Sequence, residues 1–334
     1  MKMEDELKMA QTEQRRRGRG VPPLPHLFLA FMAALLLPSC QTAPPLMPER
    51  NGEAFIPLEP GGLAYIFVDV GQARPLLEAL SFRGMDASDR HVQRILDSTD
   101  FAIAAVYMEQ GSEPARARFR LAAQGSYPSG RARMAMRCSR HWSGRRSQAS
   151  GGRFWHSAAA MISVAMSRGE ARVSSSLCAE PADPFYSGPG TRIPGGFEEF
   201  RGGAAIAGWL EDPRPRINGI LAQMGLRIEI PAEQFFAGIS RHAPGAGEGG
   251  DAPRYVGRIQ IQVANPLLAR NLSIALFVAR GLIASAAGAG DSAAEALASI
   301  LLANPATATG RYLQIRTDPM AAEEITQLFG RFSP

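Results

Sequence analysis

One stretch of this sequence is rich in arginine and contains no carboxylate. Between Pro114 and Gly169 there is neither aspartate nor glutamate, whereas eleven arginines and several aromatic residues fall in the interval. Guanidinium groups bind carboxylates and phosphates through paired hydrogen bonds, so such a segment is suited to holding an anion. A solvated basic face, balanced by acids elsewhere in the fold, is the alternative. The candidate anion-binding residues are Arg116, Arg118, Arg120, Arg131, Arg133, Arg137, Arg140, Arg145, Arg146 and Arg153.

Two carboxylates are candidates for acid–base chemistry. Asp69 and Glu211 each follow an apolar run and precede a helical pattern, so both are expected at strand-to-helix turns. A carboxylate in a cleft can transfer protons, but at such a turn it can equally cap the helix. The nucleophile pattern Gly-x-Ser-x-Gly is absent from the sequence.

The remaining residue types exclude several chemistries. Lys2 and Lys8 are the only lysines, so the chain beyond them has no lysine for a Schiff base, a phosphate-binding loop or a Ser-x-x-Lys site. Cys138, His141, His156 and Cys178 have a spacing that matches no standard zinc class. We therefore expect neither a metal nor a cofactor. The residue types favour a protein without catalytic activity, and an enzyme is the alternative.

The N-terminus is patterned as an export signal. Four arginines between Arg15 and Arg19 precede an apolar run from Leu27 to Leu37, which is too short to span a bilayer at about 20 residues per span. Leu37-Pro38-Ser39-Cys40 follows, and the whole resembles a bacterial lipoprotein signal with the relaxed lipobox of spirochaetes. The resemblance implies a signal peptide over residues 1–39 and acyl chains such as palmitate on Cys40. It implies a place in the cell envelope, the outer membrane more than the inner. An ordinary cleaved signal, or a start at Met9, is the alternative.

Export determines the redox state expected for the cysteines and the anions that the arginines can meet. With Cys40 lipidated, Cys138 and Cys178 are the remaining cysteines, and in an oxidising compartment they can form a disulfide whose loop of about 41 residues contributes roughly 4 kcal/mol. Two free thiols are the alternative. The anions within reach of the arginines are lipid headgroups or cell-wall polymers, and no nucleic acid is expected. The oligomeric state stays open.

The order of elements recurs along the chain. Gly61-Gly62 opens a strand–turn–helix pattern that ends near Gly84, and Gly202-Gly203 opens a similar one that ends near Gly225. Alternating strands follow in both halves, at 116–122 and 258–263. This predicts an α+β fold of two tandem copies, each a mostly antiparallel sheet with helices on one face. The predicted segments are a Pro-rich tether over 40–58, a first repeat over 59–177, a connector over 178–200 and a second repeat over 201–334.

Taken together, these features predict a lipid-anchored envelope protein with a structural or binding role, which the arginine-rich segment directs to anionic components. The alternative is an envelope enzyme with a cleft between the two repeats that uses Asp69 or Glu211.

Overall fold

A computed structural model describes residues 49–50, 53–79, 90–108, 117–167, 169–175, 181–223, 229–243, 253–286 and 304–331. The signal peptide, Cys40, Arg116 and Cys178 lie outside these residues.

Seven helices and sixteen strands make up the described residues. The helices are α1 (Val70–Ala79), α2 (Arg90–Ser98), α3 (Ser129–Cys138), α4 (Phe197–Arg201), α5 (Pro213–Gln223), α6 (Pro266–Ala286) and α7 (Ala322–Arg331). The strands are β1 (Glu49–Arg50), β2 (Glu53–Ile56), β3 (Ala64–Asp69), β4 (Thr99–Met108), β5 (Ala117–Gly125), β6 (Ser143–Arg146), β7 (Arg153–Ser157), β8 (Ile162–Ser167), β9 (Glu170–Ser175), β10 (Thr191–Arg192), β11 (Ala204–Leu210), β12 (Gln234–Arg241), β13 (Arg254–Gln262), β14 (Thr307–Thr309), β15 (Tyr312–Arg316) and β16 (Met320–Ala321).

Most strands belong to one large antiparallel sheet. Its order is β14-β15-β13-β12-β11-β3-β4-β5-β9-β8-β7-β6, with β16 beside β13, while β1, β2 and β10 form a small separate sheet. The predicted α+β class with a mostly antiparallel sheet is therefore confirmed. Every strand pair is antiparallel, so the side chains of each strand point alternately to the two faces.

The two halves of the chain meet at β3 and β11, in the middle of the sheet. These strands pair with Ile66 opposite Gly208 and Phe67 opposite Ala207. The sequence predicts one sheet in each half, whereas the strands of both halves form a single sheet. On either side of this seam the order strand, helix, strand, strand, helix recurs, as β3-α1-β4-β5-α3 with α2 added, and as β11-α5-β12-β13-α6. A duplication itself stays a prediction.

Six of the seven described helices pack on one face of the sheet, which we call the helix face. There, α2 and α3 cover β5, β8 and β9, α1 and α7 cover one end of the central strands, and α5 and α6 cover the other end. The opposite face is covered at its centre by α4, β2 and β10. Its core is aromatic: Tyr65 stacks on Trp209 at 4.8 Å between ring centroids, and Phe197 meets Trp209 edge-on at 4.7 Å.

The alternation predicted for β13 explains how one strand serves both faces. Ile259 and Ile261 point to the helix face, and Ile261 packs in the same cluster as α5 and α6. Arg258, Gln260 and Gln262 point to the opposite face. Leu272 and Leu276 of α6 are buried in the cluster that contains Ile261.

Candidate ligand-binding cavity and basic surface

Five strands bring a row of small and apolar side chains to the centre of the helix face. The backbone register places Ile66, Gly208, Ala237, Ile259 and Ile315 side by side across β3, β11, β12, β13 and β15. Two of the five have little or no side chain, so the middle of this row leaves the backbone of the sheet uncovered. We call these five residues the central row.

A cavity of about 440 Å³ lies over the central row. At one end of the strands, Leu76 of α1 and Ile325 of α7 pack against Tyr255. At the other end, α5 and α6 pack against Ile261 and Leu313. The cavity lies between these two groups of helices and is partly open to solvent, and Ile66 at its rim is 37% exposed.

Glycine at position 208 is required by the seam. A Cβ there would stand 2.6 Å from the carbonyl oxygen of Tyr65, closer than a carbon atom can approach. At Gly257, beside the central row, a Cβ would meet the side chain of Thr317 at 3.2 Å. An isolated glycine within a strand indicates close approach of another backbone or a ligand. Gly208 and Gly257 are therefore the sequence features that could have indicated this site.

The cavity is lined almost entirely by carbon atoms. Its hydroxyl group at Thr317 already accepts a hydrogen bond from the Gly257 amide at 2.8 Å. Arg258 contributes to the lining, but its side chain lies on the opposite face, where Nη2 donates to the Phe200 carbonyl at 2.6 Å and the guanidinium stacks on the Phe200 ring. Burial, and then the neighbouring Arg316, lower the pKa of Arg258. Such a lining suits an apolar ligand and supplies no acid or base.

The arginines of β5 are paired with a carboxylate. Arg118 and Arg120 share the opposite face of the sheet, as their alternation predicted. Both reach Oε2 of Glu59, at 3.5 Å and 3.2 Å, and Arg118 also stacks over the ring of Tyr107. Glu59 therefore balances the charge of Arg118 and Arg120, in agreement with the alternative interpretation that acids elsewhere in the fold neutralise the basic face.

The other described arginines of the candidate set lie at one end of the sheet and are exposed. They are Arg131, Arg133 and Arg137 of α3, Arg140 after that helix, Arg145 and Arg146 of β6, and Arg153 of β7. We call these seven residues the basic edge. Arg133 and Arg137 lie one turn apart on α3, whereas Arg140 lies beyond the end of the helix. The helix ends at Cys138 because the backbone of Ser139 is extended, at φ −86° and ψ 133°.

Asp69 and Glu211 do not share a cleft. Since β3 and β11 are antiparallel, Asp69 follows one end of the seam and Glu211 the other. Asp69 accepts a hydrogen bond from the amide of Gln72 at 3.0 Å and so caps α1, while the amide of Glu211 donates to the Leu63 carbonyl at 3.1 Å. Burial, and then Asp212, raise the pKa of Glu211.

The predicted disulfide and the zinc combination fall partly outside the described residues. Cys138 is the exposed last residue of α3. Its predicted partner Cys178 is not among the described residues, so the bond stays a prediction. His141 is exposed and His156 is buried in β7. No group of three potential metal ligands occurs in the part of the chain that the structure describes.

Helices long and apolar enough to cross a bilayer are not found among the described residues.

Comparison with known proteins gives structural likeness alone. No family model and no curated protein matches the chain. Two crystal forms of TP0453 resemble it with a TM-score of 0.47 each. Form IV is 15% identical over 80% of this chain and 93% of that one, and form I is 14% identical over 82% and 95%. At this identity and score, neither a function nor a site can be transferred.

Proposed function

We propose that this chain is a lipid-anchored envelope protein that binds an apolar ligand, such as a single acyl chain, in the cavity over the central row. The observation that carries the proposal is the carbon-lined cavity of about 440 Å³, which falls within the range of about 300–1,000 Å³ for small-molecule sites. Binding of an acyl chain requires apolar surroundings and no catalytic group, and the carbon-lined cavity meets this requirement.

The anchor part of the proposal rests on the sequence. The basic cluster, the apolar run and Cys40 are consistent with a lipidated N-terminus. The tether expected over 40–58 is shorter than predicted, because β2 and the buried Leu58 belong to the folded body. Residues 41–48 would then join that body to the membrane, the outer membrane more than the inner. A body held there has acyl chains within its reach. Lipid-derived ligands are therefore the apolar molecules to test first.

The internal duplication is part of the same proposal. Two related units paired through β3 and β11 account for the repeated element order around the seam. In this view the central row spans both copies, because Ile66 comes from the first and the other four residues from the second.

Photolabelling tests the ligand. Purified protein is irradiated with a diazirine-bearing fatty acid, and the labelled peptides are sequenced. We expect label on residues 206–210 and 235–239, in competition with unlabelled fatty acids. Each further buried CH₂ contributes about 0.8 kcal/mol, so competition should strengthen about four-fold per carbon until the cavity is full.

A matched pair of variants makes the test specific. Ala237→Phe places a ring on the floor of the cavity and should abolish the labelling. Ala117→Phe adds the same ring at an exposed position of β5 and should leave it unchanged. Equal labelling of both variants, or label spread over the surface, would contradict the cavity as the site.

Mass spectrometry tests the anchor independently. The mature protein should begin at a diacylated Cys40, and Cys40→Ala should release it from the membrane. An unmodified Cys40 in the native host would remove the anchor and leave the photolabelling result untouched.

The enzyme alternative has less support. Asp69 is engaged as a helix cap, Glu211 lies at the other end of the seam, and neither residue lines the cavity.

A further inference from the structure

The α3 part of the basic edge packs on the core beneath it. Ala132 and Met136 of α3 are buried in the cluster that contains Trp155 of β7 and Val164 of β8. With these two residues inward, Arg131, Arg133 and Arg137 are exposed on the remaining sides of the helix. The helix therefore holds its arginines at the surface of the sheet's end.

The ribbon formed by β6 and β7 adds arginines beside α3. Arg146 and Arg153 stand directly opposite each other in this antiparallel pair. Arg153 is two residues before Trp155, so it points to the same face as the indole, which is the face that α3 covers. Arg145 points to the other face. Like charges placed opposite each other in a ladder destabilise it unless an anion lies nearby.

None of the seven arginines forms an ion pair with a described carboxylate. Two described acids that follow the segment in sequence are engaged elsewhere: Glu170 pairs with Arg172 at 2.8 Å, and Asp183 accepts hydrogen bonds from Ser147 and Phe185. The contact that holds Arg133 is a hydrogen bond from Nη2 to the Met166 carbonyl at 3.1 Å.

Protection of a sheet edge explains only part of this surface. Arginine on an edge strand hinders edge-to-edge pairing, which accounts for Arg145 and Arg146 on β6. The arginines of α3 lie on a helix and protect no edge, so they need another explanation.

A methionine among the arginines indicates what the surface contacts. Met134 follows Arg133 on the outer side of α3 and is 69% exposed. An apolar side chain flanked by cations on a helix is the arrangement that lies at the boundary between headgroups and acyl chains. A soluble polyanion would use the arginines and would have no use for the methionine.

We infer that the basic edge docks on the anionic headgroups of the membrane that carries the protein, with Met134 inserted between them. This inference rests on the proposed anchor at Cys40. The part of the tether that precedes β1, residues 41–48, would reach roughly 25 Å if extended at about 3 Å per residue, which lets the body turn this surface toward the bilayer.

Cys138 provides a native reporter for the test, because its thiol is exposed at the end of α3. Full-length lipidated protein carrying Cys178→Ser is labelled at Cys138 with an environment-sensitive dye and anchored in vesicles. We expect a blue shift with 30 mol% phosphatidylglycerol, no shift with pure phosphatidylcholine, and loss of the shift in 0.5 M salt, since screening weakens surface electrostatics.

Charge variants make the docking surface specific. Replacing Arg131, Arg133 and Arg137 with Gln should lower the ratio of docked to undocked protein about 100-fold, at the usual contribution of a cation near an anionic membrane. The matched control replaces Arg241, Arg254 and Arg311, three exposed arginines of the second half, and should keep the shift.

Each contrary outcome is distinguishable. Flotation of the protein with vesicles but no blue shift would overturn docking alone, whereas failure to float would overturn the anchor together with it. An unchanged shift in the triple variant of α3 would overturn the surface assigned here. A shift with soluble polyphosphate and none with anionic vesicles would replace the membrane by a polymer.

Discussion

The substitution Ala237→Leu tests whether the centre of the central row is an unfilled space. The Ala237 side chain lies on the helix face between Gly208 and Ile259, under the cavity of about 440 Å³. Leucine adds three carbon atoms, which contribute about 0.8 kcal/mol each if they are fully buried. The stabilisation of the folded state is therefore at most about 2.4 kcal/mol, and the loss of leucine rotamer freedom lowers this figure by about 0.5–1 kcal/mol.

We expect Ala237→Leu to raise the free energy of unfolding by about 1–2 kcal/mol. The change is measured by urea denaturation of protein freed of bound lipid. A ligand in the cavity would stabilise the natural protein but not the variant, and so would mask the stabilisation by leucine. For a chain of this size, the melting temperature should rise by about 2–4 °C per kcal/mol.

Ala105→Leu is the matched control. Ala105 lies on β4 of the same sheet and is fully buried on the opposite face, in the aromatic core. Three carbon atoms added to a filled core force side chains and backbone to move, which costs about 1–3 kcal/mol. If Ala237→Leu proved as destabilising as Ala105→Leu, the space over the central row would not exist in solution, and the reasoning from it to a ligand would fail.

Three further predictions concern the elements around the cavity. Gly208→Ala should destabilise the protein by more than about 2 kcal/mol in urea denaturation, because the new Cβ would meet the Tyr65 carbonyl. Gly219→Ala, where the space around α5 is open, should stabilise the protein by about 1 kcal/mol. Similar values for both variants would contradict the close approach at the seam. Glu59→Gln removes the carboxylate shared by Arg118 and Arg120, and because Arg120 is largely buried, the free energy of unfolding in the same assay should fall by about 1–2 kcal/mol. Glu198→Gln, at an exposed ion pair, should lower it by less than about 1 kcal/mol. Equal losses for the two variants would contradict the difference in burial. Since burial raises the folded-state pKa of Glu211, its protonated form favours folding, and this stabilisation is lost as pH rises through that pKa. Glu211→Gln should thus raise the melting temperature relative to the natural protein at pH 7 and change it little at pH 4, and a difference independent of pH would refute this.

The local elements of this fold were largely predictable from the sequence. The alternating strands expected at 116–122 and 258–263 overlap β5 and β13, and the strand–turn–helix patterns expected after Gly61-Gly62 and Gly202-Gly203 correspond to β3-α1 and β11-α5. Alternation placed Arg118 and Arg120 on one face. These predictions succeed because the two-residue period of a strand and the helical period are both read within a single segment.

Long-range partners and empty space were not predictable. The pairing of β3 with β11 joins segments about 140 residues apart, and no local pattern identifies that choice. For the same reason Glu59 could not be matched with Arg118 and Arg120. The cavity depends on where helices end above the sheet, and its sequence signals were single glycines such as Gly208.

The two ends of the large sheet have a consequence for behaviour at high concentration. In the part of the chain that the structure describes, the outermost strands are β6, with four residues that include Arg145 and Arg146, and β14, with three residues. Proteins tethered to one membrane are confined to a thin layer, in which their effective concentration can reach the millimolar range. A long, uncharged edge would there add further copies strand by strand into filaments. For a body tethered as proposed, short ends, one of them cationic, would let copies lie densely on the membrane without pairing edge to edge.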